Sequence, residues 1–187
     1  MPYSSQPVVL LCLVVIPWLL LETWKSGRQA RALRAAGAVE PPDDPYRAMA
    51  VVYPGMFLAM TGEGVVAAPP ACTTLVAIGI AVFLAGKLLK WWAILSLGRF
   101  WSFRVLVLPG ASLVSGGPYR WLRHPNYVAV VVEGVALPLV HASWITAVVF
   151  TVLNAGLLAV RIKVEDEALA SLPNSGPGSG PDRTVDA

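Results

Sequence analysis

Charged residues are scarce in this chain of 187 amino acids. Only 13% of its residues are charged, whereas about a quarter are charged in an average soluble domain. Hydrophobic residues make up 56% of the chain. This composition argues against an ordinary soluble domain and predicts a membrane protein, and the length fits a single domain.

Several motifs that mark soluble enzymes are also absent. The sequence contains no GxGxxG after a predicted strand, no P-loop, no HExxH and no CxxC. Its two cysteines, Cys12 and Cys72, lie in apolar runs, and their spacing fits neither a disulfide framework nor a metal site. We therefore expect no metal centre, and a nucleotide-like cofactor would have to bind at the edge of the membrane.

Five apolar segments predict an all-α, polytopic membrane protein with about five transmembrane helices. The segments are Val8–Leu21, Ala48–Thr61, Ala71–Leu89, Val128–Val140 and Ser143–Val160. A spanning helix needs about 20 apolar residues, so the third and fifth segments come close and the others need their flanks. The first segment has no Lys or Arg before it and no small-residue cleavage site after it, which indicates an uncleaved anchor. The last two segments are separated only by His141-Ala142 and are predicted to form a helical hairpin.

The basic residues indicate how these helices are oriented. All fourteen Lys and Arg residues fall in three regions, 22–47, 86–127 and 161–187. The positive-inside rule then places the N-terminus outside and the C-terminus in the cytoplasm. Four basic residues at helical spacing between Lys25 and Arg34 predict a short basic helix on the anionic inner leaflet. The positive charges are thus a topology signal, and we expect no nucleic-acid binding.

A dense polar stretch, Gly116–Tyr127, interrupts the apolar sequence. Proline disfavours helix in the preceding residue and is tolerated at the first helical position, so the fourth helix is predicted to begin at Pro125 with His124 as its cap. The free N–H groups of that helix start favour an anion. Tyr127 offers a hydroxyl and a ring face in the first turn. The alternative is an interfacial loop that only anchors two helices.

The predicted hairpin brings the end of the fifth helix to this polar stretch. Arg161 can bind an anionic group there, and Glu165 can accept a hydrogen bond from an amine or a hydroxyl. Simple ion pairing along the helix surface is the alternative. Glu133 is a further candidate, because an ionisable residue inside an apolar helix is often functional, although it could equally be a paired structural residue.

Two motif blocks at the ends of the hairpin match a known pattern. They are Leu113-Val114, Gly117-Pro118-Tyr119 and Arg123-His124-Pro125-Asn126-Tyr127, followed by Arg161-Ile162-Lys163-Val164-Glu165-Asp166. Together they resemble the isoprenylcysteine carboxyl methyltransferase family. The similarity covers residues 86–170 of one predicted membrane domain, 1–170, which precedes a Ser/Gly/Pro-rich tail, 171–187, predicted to be disordered. The chain is similar to short bacterial members, some of which are thought to O-methylate phenolic lipids made by type III polyketide synthases.

The resemblance implies S-adenosylmethionine as methyl donor and a lipophilic acceptor from the bilayer, with the active site facing the cytoplasm at a bacterial plasma membrane. By position, the cofactor would contact Ser112, Leu113, Val114, Tyr119, His124, Pro125, Asn126, Tyr127 and Glu165. Arg161 would face the acceptor's reacting oxygen. Arg161 and Glu165 are thus the candidate catalytic residues, and Glu133 joins Arg161 as a candidate for the acceptor site.

The sequence also departs from the family pattern. Asp166 stands where a second Glu is usual, Ala129 replaces a frequent Gly, and the Tyr- and Arg-containing tail that follows the acidic pair is missing. In the prenylcysteine enzymes that tail helps to build the acceptor side. The absence of that tail favours a lipid other than prenylcysteine.

Three other functions stay open. Membrane sterol-type reductases use NADPH and share an Arg-His-x-Asn-Tyr signature, but Gly-Asp typically follows theirs, whereas Val128-Ala129-Val130 follows here. Phospholipid N-methyltransferases have similar chemistry and the same membrane-edge layout. A non-enzymatic membrane scaffold would bind no cofactor.

Overall fold

The computed structural model of this chain is helical, and it describes residues 6–67 and 72–171. Its five α-helices are α1 (Gln6–Ala35), α2 (Tyr46–Ala67), α3 (Thr73–Leu97), α4 (Pro125–Val140) and α5 (Trp144–Ala170). Short 3-10 turns cover Gly98–Phe100 and Gly117–Arg120. In the described residues, β pairing is limited to one antiparallel bridge between Val39 and Val107. The predicted all-α class is confirmed.

Each predicted apolar segment corresponds to one helix, but α1 is much longer than expected. The prediction of a separate short basic helix is wrong, because α1 continues from the apolar segment through the basic residues to Ala35. Ala, Leu, Arg and Gln dominate residues 28–35, and all four are strong helix formers. The helix ends at Ala35, and Gly37, two residues later, adopts a positive φ of 90°, a conformation that is common just after a helix C-terminus.

Two helical stretches have the length and composition of membrane spans. Within the described residues they are Thr73–Phe100 and α5, whereas α4 is a shorter apolar helix. Large apolar side chains point outward from both, including Leu88 and Ile145, as expected of helices in lipid. The count of five spans and the orientation stay predictions, and the tail predicted to be disordered lies outside the described residues from 172 onward.

Small residues let the apolar helices approach closely. A Cβ atom on Gly86 of α3 would lie 3.0 Å from Val132 of α4, and one on Gly134 of α4 would lie 2.3 Å from the Phe150 ring of α5. Close approach at glycines is typical of helix packing in membranes. The tight turn at residues 141–143 joins α4 to α5. The predicted helical hairpin is therefore present.

Four charged side chains form a buried cluster between α1, α3 and α4. Lys90 Nζ lies 2.7 Å from Glu22 Oε2 and 3.5 Å from Glu133 Oε2, and Lys87 Nζ lies 3.1 Å from an oxygen of each of these two glutamates. The side chain of Glu22 is 0% exposed. Two positive and two negative charges balance each other, so the cluster ties α1 to α3 without leaving net charge in the core.

Glu40 links the end of α1 to the segment that follows α3. Arg34 and Arg104 both form ion pairs with its carboxylate, next to the Val39–Val107 bridge. Burial acts to raise the pKa of Glu40, but the hydrogen bonds from the two arginines outweigh it and hold the pKa below its ordinary value. The carboxylate form therefore stabilises this junction.

Glu22→Gln is expected to lower the melting temperature of the detergent-solubilised protein, because it leaves two buried lysines with a single carboxylate. Loss of one partner from a buried ion pair costs about 3–5 kcal/mol. Glu167→Gln is the matched control, since its 3.8 Å pair with Lys163 is exposed and is worth about 0.3–0.5 kcal/mol. Equal melting temperatures for the two variants would contradict a stabilising role of the cluster.

Glu40→Gln is expected to lower the melting temperature at neutral pH and to have less effect in acid. A carboxylate with a lowered folded-state pKa contributes stability above its unfolded pKa of about 4.3 and loses that contribution as the pH falls through the folded value. The difference in melting temperature between wild type and variant should therefore shrink below about pH 4.3. A difference that stays constant from pH 7 to pH 3 would exclude the ion pairs as its source.

Candidate active site

The start of α4 confirms the helix start that the sequence predicted. The helix begins at Pro125, and His124 is its cap residue with φ −128° and ψ 65°. The His124 side chain makes no capping hydrogen bond. Instead its Nε2 lies 3.2 Å from Asp166 Oδ1, and its ring stacks on Tyr127 with centroids 5.4 Å apart. Pro125 has no N–H, and the N–H groups of Tyr127 and Val128 donate to the His124 carbonyl oxygen at 3.1 and 3.2 Å. Within the described residues, the Asn126 N–H is therefore the free donor that this helix start offers to an anion.

The hydroxyl of Tyr127 connects the two motif blocks. It donates a hydrogen bond to the Glu165 carboxylate and accepts one from Arg161 Nε at 2.9 Å. On the next residue of α5, Asp166 pairs with His124 and with the exposed Arg123. The hairpin therefore brings His124, Tyr127, Arg161 and Glu165 together, as the sequence analysis expected.

Arg161 is only 5% exposed, and its guanidinium is surrounded by acceptors. Nη1 lies 3.0 Å from Asp44 Oδ1, and Nη2 donates to the carbonyl oxygen of Phe103. Asp44 in turn accepts hydrogen bonds from the backbone N–H groups of Tyr46, at 3.1 Å, and Val105, at 2.9 Å. One buried ion pair thus joins α5, the start of α2 and the segment after α3.

Sequence reasoning missed Asp44. The local sequence, an Asp followed by Pro45 just before a helix, predicts only that Asp44 caps that helix. Its partner Arg161 lies 117 positions further along the chain, and no periodicity or motif connects the two positions. Only the fold brings them together.

Helix α1 supports the segment that carries Phe103. Ser26 Oγ accepts a hydrogen bond from the Phe103 N–H at 2.8 Å, and Gln29 Nε2 donates to the Gly98 carbonyl oxygen at 2.6 Å. Trp101, which is buried, packs edge-on against the Phe103 ring. The backbone segment that faces Arg161 is thus held by hydrogen bonds with α1 and by the packing of Trp101 on Phe103.

The turn before α4 places Tyr119 near Glu165. Burial raises the pKa of Tyr119, and the negative charge of Glu165 raises it further, so the phenol keeps its proton and can donate a hydrogen bond. Gly117 begins this turn with φ 58°, and a Cβ atom there would lie 2.1 Å from Ser96 Oγ. Glycine is therefore required for the turn to reach this position.

The remaining predicted site residues differ in their surroundings. Pro125 is buried in the first turn of α4, and the buried Oδ1 of Asn126 has no hydrogen-bond partner in the described part of the chain. Glu133 lies two turns further along α4, with its carboxylate between the two lysines of the buried cluster. Its role in acceptor binding stays a prediction.

The irregular segment before the turn contains the last three predicted residues. Ser112 and Leu113 are exposed, Leu113 to 68%, and Val114 is half-buried. The structure shows no hydrogen bond from these residues to the Tyr127–Arg161 group within residues 6–67 and 72–171, and their part in cofactor binding stays a prediction.

A cleft of about 420 Å³ lies beside this group, on the adjoining face of α5. None of the predicted site residues lines this cleft, whose walls are residues 39–43, Val107, Pro109, Val164, Glu167, Ala168 and Ser171. Asp43 lines this cleft, whereas the neighbouring Asp44 faces Arg161. The described residues contain no group of three or more His, Cys, Asp or Glu side chains placed to hold a metal ion.

Two bacterial proteins are similar to about half of this chain. The uncharacterized protein YpbQ of Bacillus subtilis is 45% identical over 89 residues, which cover 48% of this chain and 53% of YpbQ. An uncharacterized protein of Haemophilus influenzae is 29% identical over 96 residues, which cover 51% of this chain and 56% of that protein. The chain thus spans about half the length of the curated relatives it matches. No solved structure matches it significantly.

A family model covers the part of the chain that holds both motif blocks. It describes the isoprenylcysteine carboxyl methyltransferase (ICMT) family and matches residues 77–171, about half of the chain. The matched region includes most of α3, all of α4 and α5, and the turn between α3 and α4. Glu22 and Asp44 lie outside it. Together with the paired motif blocks of the hairpin, this match shows that the chain belongs to the isoprenylcysteine carboxyl methyltransferase family.

Proposed function

We propose that the protein is an integral membrane O-methyltransferase that uses S-adenosylmethionine and acts on a lipid-like acceptor at the cytoplasmic face. Family membership and the two apolar helices indicate a membrane methyltransferase. The observation that carries the rest is the linked group of Tyr127, Glu165 and Arg161 beside the uncapped start of α4. The helix start supplies an anion site, Glu165 supplies a carboxylate and Arg161 supplies a fixed cation, all within one small region of the structure.

The residues present fit S-adenosylmethionine. This molecule carries a carboxylate, an ammonium group and a sulfonium. The Asn126 N–H, which is free within the described residues at the start of α4, suits the carboxylate, and Glu165 with the ring face of Tyr127 suits the two positive groups. The unpartnered, buried Oδ1 of Asn126 is a further acceptor, and buried polar atoms of this kind normally have a partner.

The chain's own contribution to the reaction is mainly positioning. S-adenosylmethionine bound here would supply an electrophilic methyl group, with its sulfur as the leaving group that keeps the electron pair. A carboxylate acceptor would lose its negative charge, and a phenolic acceptor would lose its proton to the Glu165 carboxylate. Arg161 orients that oxygen, and Tyr127 holds Arg161 and Glu165 at a fixed separation. Such placement in a site shielded from water accounts for much of enzymatic rate enhancement.

The acceptor is a carboxylate or a phenolic hydroxyl on a lipid. Arg161 already has the carboxylate of Asp44 at 3.0 Å, so it does not offer an unbalanced positive charge. An uncharged phenolic hydroxyl therefore fits this guanidinium at least as well as a carboxylate does.

His124→Ala and Glu165→Ala are each expected to weaken S-adenosylmethionine binding by about tenfold or more, since each removes a partner for a charged or polar group of the cofactor. Glu167→Ala is the matched control, because Glu167 lies half a turn away on the same helix, its side chain is 67% exposed, and it should leave the dissociation constant unchanged. Isothermal titration of the detergent-purified proteins measures all four constants. If neither His124→Ala nor Glu165→Ala weakens binding, the site assignment is wrong.

The same preparations distinguish the competing functions. Radiolabelled methyl transfer is measured with N-acetyl-S-farnesylcysteine as a carboxylate acceptor, an alkylresorcinol as a phenolic one, and phosphatidylethanolamine as an amine. Transfer to an oxygen acceptor supports the proposal, and transfer only to phosphatidylethanolamine would make the protein an N-methyltransferase. If the protein binds NADPH but not S-adenosylmethionine, it is a reductase. If it binds neither molecule, it is a scaffold.

A further inference from the structure

Asp44 is the most deeply buried acid in contact with Arg161, and it lies outside the region that the family model matches. Its side chain is 3% exposed. Its Oδ1 faces Arg161 Nη1 at 3.0 Å and the Tyr46 N–H at 3.1 Å, and its Oδ2 accepts from the Val105 N–H at 2.9 Å. Two backbone N–H groups therefore fix the carboxylate independently of its contact with the guanidinium.

The partners of Arg161 determine how its planar fork is turned. Of its five N–H donors, one points to Tyr127, one to Asp44 and one to the Phe103 carbonyl oxygen. A fourth points to Met49 Sδ at 3.6 Å, which is a weak acceptor. Asp44 is the ion-pair partner of Arg161 within the described residues, so it fixes the edge of the fork and balances its charge.

We propose that Asp44 is a positioning residue for methyl transfer: it holds the Arg161 guanidinium in the orientation that faces the acceptor oxygen, without touching the donor or the acceptor itself. The inference depends on the role proposed above for Arg161. A guanidinium that loses this carboxylate keeps its charge and its bonds to Tyr127 and Phe103, but the edge of the rigid fork that faces Asp44 is no longer held.

Positioning through Arg161 differs from simple support of the fold. Asp44 also caps the start of α2 through Tyr46, and a purely structural role would affect stability and both substrates alike. A positioning role instead affects the transfer step, because small misplacements of a group at the reacting centre reduce the rate by up to about a hundredfold. Binding of S-adenosylmethionine, which uses His124 and Glu165, should be unaffected.

The test compares wild type with Asp44→Asn, Asp44→Glu, Arg161→Lys and the double variant Asp44→Asn/Arg161→Lys. Asp43→Asn is the matched control, because Asp43 is the adjacent acid and lines the cleft instead of contacting Arg161. For the oxygen acceptor that supports transfer, Asp44→Asn is expected to lower kcat about tenfold or more while the dissociation constant for S-adenosylmethionine stays within about twofold. Asp44→Glu should recover part of the loss, and the double variant should be no slower than Arg161→Lys alone.

A second measurement does not depend on activity. Phenylglyoxal modifies accessible arginines, and mass spectrometry can follow Arg161 in each variant. Arg161 should react several times faster in Asp44→Asn than in wild type or Asp43→Asn. If wild type neither binds S-adenosylmethionine nor transfers methyl, the proposed function fails, and the labelling rates still decide whether Asp44 holds Arg161.

Three results would overturn the inference. They are an unchanged kcat in Asp44→Asn, a loss in the double variant that equals the product of the single losses, and equal labelling of Arg161 in wild type and Asp44→Asn. If Asp44→Asn does not fold, as judged by size-exclusion chromatography, Asp44→Glu takes its place. Its kcat is expected to be lower than that of wild type, and its Arg161 is expected to be labelled faster. Wild-type values of both would overturn the inference.

Discussion

A buried guanidinium must have partners for its N–H groups, and much of this structure depends on how Arg161 obtains them. An unpaired charge in the interior is costly, so the chain surrounds Arg161 with a carboxylate, a phenol and a backbone carbonyl. Each comes from a different part of the chain: the start of α2, the first turn of α4, and the segment after α3. Meeting this one requirement brings together α4, α5, the start of α2 and the segment after α3.

The two halves of the chain contribute differently to this arrangement. The half that matches the family supplies the hairpin and both motif blocks. The other half supplies Asp44, and it supplies Ser26 and Gln29 on α1, which hold the backbone of the 98–103 segment. Glu22 adds the buried cluster that ties α1 to α3. The motif residues thus depend for their placement on a part of the chain that the family model does not match.

Local sequence signals predicted the parts of the site that are close in sequence or joined by a tight turn. The Pro125 step specified the start of α4, and the short connection at residues 141–142 implied that Arg161 and Glu165 would meet Tyr127. The pairings of Asp44 with Arg161 and of Glu22 with Lys87 and Lys90 could not be predicted in this way. These contacts join residues that are far apart in the sequence, and a single acid or lysine gives no local signal that identifies its partner. The full length of α1 does not follow from its apolar segment, because the basic residues end the apolar run but are good helix formers and continue the helix.

The continuity of α1 has a mechanical consequence. A helix of 30 residues is about 45 Å long, which exceeds the roughly 30 Å hydrocarbon thickness of a bilayer. Since Glu22, Ser26 and Gln29 are fixed to one rod, any tilt of that rod moves their contacts together and reaches the carbonyl that faces Arg161. A displacement of α1 would therefore change the geometry of the guanidinium.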